Sequence, residues 1–333
     1  MKALRRIHVR IALLVLVGLV AVGVGAALAA TRRTTAQIGT GVVVINTNLA
    51  YQGASAAGTG MVLRSNGEIL TNNHVIKGAT TITVRIPGTT RSYTARVVGY
   101  DAADDVAVLQ LANASNLKAV TTAAAAKLAV GQRVRAVGNA GGTGTIVSAT
   151  GRITGLAKAI TVADDNGNPE RLSGLIETDA ALQPGDSGGP LLNSAGRVIG
   201  MDTAASQSSP FANYSNDGYA IPIAKALAIV KQVESGHSTA RVHVGSTAFL
   251  GVQVQDGPSG VTIAGVVANG PAAQAGLVTG DVITAIGGTS VTSSATIQKA
   301  VLARTPGTKV SVTYLDETGS HTVTVTLGSG PAQ

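Results

Sequence analysis

Between residues 38 and 221 the chain is a succession of short runs rich in Val, Ile and Thr. Turn signals such as Asn66-Gly67 and Pro87-Gly88 cut these runs roughly every ten residues. Runs at 42–46, 58–63, 69–71, 81–86, 92–100 and 106–111 are followed by others at 133–138, 146–154, 174–177, 190–192, 198–203 and 218–221. Segments this short bury an apolar face only by pairing with one another, and no long helical period interrupts them. The spacing therefore predicts a mainly β chain closed into a sandwich or barrel. With no Trp and only 2 Phe, its core must be aliphatic, and the 42 Gly are available for turns. The run Asp164-Asp165-Asn166-Gly167-Asn168-Pro169 predicts an exposed loop tip.

The pattern changes twice at the ends of this region. Residues 223–234 carry apolar side chains at 223, 226, 227 and 230 after Pro222, which predicts a helix ending near Gly236. Residues 236–247 are polar and predict a linker. A second unit follows over 248–328, with strands predicted at 249–255, 261–267, 281–286, 309–315 and 321–327 and a helix at 295–303; residues 329–333 form a tail. At the other end, residues 2–10 hold four Lys or Arg, and 11–30 are uninterruptedly apolar or Gly. That length spans a bilayer as one helix with the N-terminus inside. Ala27-Leu28-Ala29 also satisfies a small-x-small cleavage rule, so residues 1–30 are a signal-anchor or a signal peptide. Either way, residues from 31 onward are expected outside the cytoplasm, anchored to its membrane or secreted.

Charge and composition exclude several function classes. The net charge is +8, but six of the 25 Lys and Arg precede residue 34, and the remaining 19 face 17 acidic residues. No basic stripe marks a nucleic-acid surface. With no Cys, thiolate nucleophiles, disulfides and Cys-based metal sites are ruled out. No His/acid cluster has ligand spacing, so neither a metal nor a cofactor is expected.

Gly185-Asp186-Ser187-Gly188-Gly189-Pro190 is the most specific chemical signal. A serine that attacks a carbonyl must sit on a sharp turn exposing its hydroxyl. Its own N–H and that of Gly185 must stabilise the developing oxyanion, and glycine permits the backbone this requires. Glycines 188 and 189 allow close approach of neighbouring chain. His74 is the one histidine of the strand-rich region, the others being His8, His237, His243 and His321, and is the candidate general base. The carboxylate that orients it lies in Asp101–Asp104–Asp105. Asp105, directly before a strand, is preferred, with Asp104 the alternative and otherwise expected to be solvated.

The order His, Asp, Ser, together with TNNHV, DDVAVLQL, TDAALQPGDSGGPLLNSAGRVIG and YAIPIAKA, resembles the HtrA/Deg family of trypsin-like serine proteases. The resemblance covers residues 42–327. It implies a chymotrypsin-like double β-barrel over 31–235, with His74, Asp105 and Ser187 as triad and the Gly185 and Ser187 N–H groups as oxyanion hole. It also implies an S1 pocket based on Ala181, with Met201 and Thr203 on its wall. No acid stands at 181, so small or medium aliphatic residues are the expected preference. Asp186 departs from the Asn common in the family, and no activation-type start precedes Val42. Asp186 therefore needs another partner or hydration, and activation is expected from loop ordering, not from a cut.

Phe249-Leu250-Gly251-Val252, Asn269-Gly270-Pro271 through Leu277, and Gly280-Asp281-Val282-Ile283 look like a PDZ domain, a small β-barrel with helices. The resemblance implies that a C-terminal peptide adds a strand, with its carboxylate at the Phe249–Val252 loop and its last side chain between Ile297 and Val301. Polypeptide substrates and a homotrimer follow as expected partners. The loop between 46 and 58 is too short for the insertion that builds larger cages. A second reading, from another class, is a catalytically silent peptide-binding or chaperone-like protein on the same scaffold.

Overall fold

A computed structural model describes residues 39–163, 169–205, 217–257 and 260–332; the predicted N-terminal apolar helix lies outside the described residues. Six strands build the first sheet: β1 (Val42–Leu49), β2 (Ala54–Arg64), β3 (Glu68–Thr71), β4 (Thr81–Arg85), β5 (Ser92–Asp101) and β6 (Val106–Leu111). Their order is β5-β4-β1-β2-β3-β6, and β5 also pairs with β6, so the sheet closes on itself. Val43, Ile45, Val62, Ile69, Ile76 and Leu109 fill its interior. Closure forces both ends of the strand series together and leaves the apolar alternate residues one place to go. A short helix, α1 (Asn73–Ile76), leaves β3 at the rim.

The second barrel uses β7 (Arg133–Gly138), β8 (Val147–Ala163), β9 (Pro169–Thr178), β10 (Pro190–Asn193), β11 (Val198–Ala205) and β12 (Gly218–Pro222). It is closed in the order β10-β11-β12-β9-β8-β7 around Val134, Ile153, Ile176, Leu191 and Ile199. Here the predicted strands at 146–154 and 174–177 are too short. β8 runs for 17 residues and pairs with β9 from Ile153↔Thr178 out to Ala163↔Pro169. Lys158, Ala159, Thr161, Arg171 and Ser173 are exposed, so backbone pairing more than side-chain burial carries this part of the hairpin. Pro169, placed in the predicted loop tip, begins β9, where the outer end of a hairpin tolerates a missing N–H. The predicted helix is present as α2 (Ile223–Glu234), with Ile229 and Val233 completing its buried face.

The predicted linker carries a strand. β13 (Val242–Val244) pairs antiparallel with β5, from Val242↔Asp101 to Val244↔Gly99, and extends the first sheet. The last unit holds β14 (Thr247–Phe249), β15 (Val252–Gly257), β16 (Gly260–Val266), α3 (Pro271–Gln274), β17 (Val282–Ile286), β18 (Thr289–Ser290), α4 (Ser294–Leu302), β19 (Lys309–Asp316), β20 (Gly319–Thr326) and β21 (Gly328–Gly330). Its sheet runs β15-β16-β17-β19-β20, with β15 at an edge, over a core of Val261, Ile263, Ile283, Ile286 and Val312. The tail is ordered as well: β21 pairs with β14, and Ala332 is buried in the first barrel's core, its carbonyl accepting the Gly78 N–H at 2.9 Å. Among the described residues no helix is long and apolar enough to cross a membrane.

Candidate active site

Pairing of β3 with β6 sets Thr71 opposite Ala107, which brings the start of β6 beside the start of α1. Asp105 therefore meets His74. Its Oδ1 accepts the His74 backbone N–H at 2.9 Å, and its Oδ2 lies 2.8 Å from Nδ1. Asp105 holds a left-handed backbone, φ 54°, which aspartate tolerates better than most residues. The Asn72 side chain braces that conformation by donating to the Asp105 carbonyl at 2.8 Å. Thr203 adds a very short hydroxyl donation to Oδ2. The imidazole side chain is 48% exposed while the carboxylate is 9% exposed, so solvent reaches the ring but hardly the carboxylate. A carboxylate at Nδ1 fixes the tautomer in which Nε2 is the basic nitrogen.

Ser187 stands on the turn between Pro184 and Pro190, and its Oγ donates to the Thr203 carbonyl at 3.0 Å. Thr203 thus touches both Ser187 and Asp105. Gly185 has φ 98°, and a Cβ there would lie 2.2 Å from the Asn139 carbonyl oxygen. At Gly188, φ 86°, a Cβ would lie 2.0 Å from the Thr59 carbonyl oxygen. Only glycine fits at either position. Among the described residues, the N–H groups of Gly185 and Ser187 have no backbone or side-chain acceptor, as an oxyanion site requires.

Thr59, on β2 of the first barrel, ties this turn down. Its N–H donates to the Ser187 carbonyl at 2.9 Å and its hydroxyl to the Gly185 carbonyl at 2.7 Å, while it accepts the Asn139 N–H at 2.9 Å. Thr71 in turn donates to the Thr59 carbonyl at 2.7 Å. Sequence reasoning missed Thr59, Asn72 and Asn139. The available signal was a buried hydroxyl set between Gly58 and Gly60 inside an apolar run.

Asp186 is buried and has found a partial partner: its Oδ2 accepts the Gln183 N–H at 2.9 Å, closing the turn, and its Oδ1 has none. A second carboxyl missed by sequence reasoning, Asp202, is wholly buried nearby, and among the described residues neither of its oxygens has a hydrogen-bond partner. Complete burial, and then the charge of Asp186, push the Asp202 carboxyl well above its ordinary 3.8; burial also raises Asp186. Asp104, expected to be solvated, is ion-paired: Lys225 Nζ lies 2.6 Å from Oδ1 and Arg241 Nη2 2.6 Å from Oδ2. Of the residues assigned to the pocket, Ala181 is exposed, Met201 is fully buried, and Thr203 gives its hydroxyl to Asp105. Among the described residues no three His, Asp or Glu gather as a metal site.

In the last unit, the carbonyls of the loop before β15 are engaged: Leu250 accepts from Ala272 at 3.0 Å and Gly251 from Val267 at 2.9 Å. The Leu250 and Gly251 N–H groups have no acceptor among the described residues. Val252 opens β15, whose outer edge is unpaired among the described residues. Ile297 and Val301 on α4 are buried together with Leu250 in the unit's core. Phe249 stacks on Tyr51 of the first barrel, ring centres 5.2 Å apart.

Residues 58–201 match the family described as trypsin-like peptidase domain, and residues 248–327 match the PDZ domain. The chain is 35% identical over 288 residues to Protease Do-like 1, chloroplastic, of Arabidopsis thaliana, covering 83% of itself and 64% of that protein. It is 32% identical over 290 residues to Serine protease Do-like HtrA of Lactococcus lactis subsp. lactis, covering 82% of itself and 71% of that protein. Among solved structures, an HtrA-type protease AlgW with tripeptide is similar at a TM-score of 0.52 and 29% identity, over 90% of this chain and 98% of that one. The chain spans less than two thirds of the length of several curated relatives, 64% of the Arabidopsis protein among them.

Proposed function

This chain belongs to the HtrA/Deg family of Do-like serine proteases, and on that premise we propose that it is a serine endopeptidase acting on misfolded or exposed polypeptides through an acyl-enzyme. The observation that carries the reading is the 2.8 Å contact between Asp105 and His74, next to a serine turn with two uncommitted N–H groups. In this reading the Ser187 hydroxyl swings from the Thr203 carbonyl to Nε2 of His74, loses its proton there and attacks the scissile carbonyl. Asp105 stabilises the imidazolium, and the Gly185 and Ser187 N–H groups receive the oxyanion. His74 then protonates the leaving amine, and water, activated by the same ring, releases the acyl group. The absence of an acid at 181 favours aliphatic residues at the cleavage site.

The free edge of β15 and the uncommitted Leu250 and Gly251 N–H groups favour capture of a peptide C-terminus by the PDZ unit as an added strand, regulating the protease. An extracytoplasmic location, with residues 11–30 as anchor or cleaved signal, and assembly as a homotrimer belong to the same reading; cell fractionation and sedimentation check them.

The deciding experiment is labelling by a serine-directed fluorophosphonate alongside turnover of unfolded casein. Parent protein labels and cleaves, and Ser187→Ala does neither. Casein protected from aggregation without cleavage, and no label on the parent, would establish the silent chaperone-like reading in its place.

A further inference from the structure

The segment that joins the two units is bound to the turn that presents the triad carboxylate. Arg241 directly precedes β13, and Thr239 holds it in place: its hydroxyl accepts the N–H groups of Arg241 at 3.3 Å and Val242 at 3.0 Å. From there the guanidinium reaches the loop between β5 and β6. Nη2 lies 2.6 Å from Asp104 Oδ2 and Nε 3.6 Å from Asp101 Oδ2. Lys225, from α2, holds the other oxygen of Asp104. Asp101 in turn accepts the Asp104 N–H at 3.0 Å, and the Asp105 N–H donates to Ala102 at 3.3 Å. The loop therefore closes one residue before a backbone held at a positive φ.

We propose that Arg241 is a positioning residue: it grips the Asp101–Asp104 turn, so that the Asp105 carboxylate stays where His74 needs it while the linker is docked as β13. The inference rests on the serine-protease reading above. Two observations separate this contact from an ordinary surface ion pair, which contributes little. Asp101 is almost completely buried, and burial raises its carboxyl against the opposing pull first of the Asp104 N–H and then of Arg241, so the guanidinium is one of two groups that favour its ionised form. Moreover, Arg241 bridges two acids one turn apart and so fixes a shape as well as a charge; a lysine ammonium reaches only one of them. The strand register adds a mechanical constraint, because Val242 pairs with Asp101 itself.

The test uses the full chain and a quenched fluorogenic peptide with an aliphatic cleavage residue. Arg241→Ala lowers kcat about tenfold with KM unchanged, since a displaced carboxylate impairs the chemical step and not substrate binding. Fluorophosphonate labelling slows in parallel. Asp104→Asn has the same signature, the double variant is no worse than the poorer single one, and Arg241→Lys falls between. Should Arg241→Ala lack a cooperative thermal transition, Arg241→Lys and Asp104→Asn carry the same comparison. Turnover lost in Ser187→Ala but within about twofold of the parent in the Arg241 and Asp104 variants would overturn the positioning role and leave the serine reading standing. A parent without Ser187-dependent turnover would overturn both.

Discussion

Single side chains do most of their work here by occupying one another's hydrogen-bonding capacity. Thr203 gives its hydroxyl to Asp105 and its carbonyl to Ser187, and Thr59 satisfies three groups around the Ser187 turn. Asp202 is the exception, a carboxyl enclosed beside a second acid with no donor among the described residues. Because its folded pKa lies well above 3.8, the native state holds a proton that the unfolded chain releases. The stabilisation is complete below about pH 3.8 and is lost as pH rises toward the folded value. Asp202→Asn imitates the neutral acid, so its thermal midpoint exceeds the parent's by more at pH 8 than at pH 5. Equal shifts at the two pH values in calorimetry would show that no proton is held there.

At the scale of elements, edges and ends decide what is open to partners. Among the described residues β15 pairs with β16 on one side only, and the loop before it has its carbonyls tied and two N–H groups uncommitted. A peptide strand added at that edge would place its terminal carboxylate against those N–H groups. A peptide with a free apolar C-terminus therefore binds at least about tenfold more tightly than its C-terminal amide, because charge-assisted hydrogen bonds are the stronger ones. Equal affinities by titration calorimetry would remove the carboxylate from the recognition. The long β8–β9 hairpin shows the limit of reading elements from pattern: backbone pairing carries it well beyond the runs at 146–154 and 174–177. β13 is the same lesson in reverse. A polar stretch that reads as linker becomes a strand because an edge of β5 is available to it.

Across the whole molecule, the end of the described chain returns to the first barrel. After the PDZ sheet is complete, β21 pairs with β14, and Ala332 enters the core of the first barrel near the end of α1, the helix that carries His74. Tyr51 stacks on Phe249, and the Gln253 side chain donates to the Tyr51 carbonyl at 3.2 Å, so the PDZ unit meets the first barrel beside β15. Ala332→Asp puts a charge among apolar side chains and lowers the stability of the protease unit by roughly 3 kcal/mol, although the residue lies beyond the PDZ sheet. Denaturant titration checks this; an unchanged midpoint would mean that the tail only rests on the barrel.

The chain's local code determined the two β units, the helix at 223–234 and the sharp glycine-flanked turn that carries Ser187. Each of these depends on side-chain period, turn chemistry or a backbone that only glycine adopts, and such properties are written within a few neighbouring residues. What tertiary structure decided was partnership. It joined Asp105 to His74 and Asp104 to Lys225 and Arg241. It brought Thr59 to a turn 126 residues away and enclosed Asp202 beside Asp186. Hydrogen-bond and ion-pair partners across such separations are chosen by how the barrels close and by which polar groups closure removes from water, and neither is a local property of the chain.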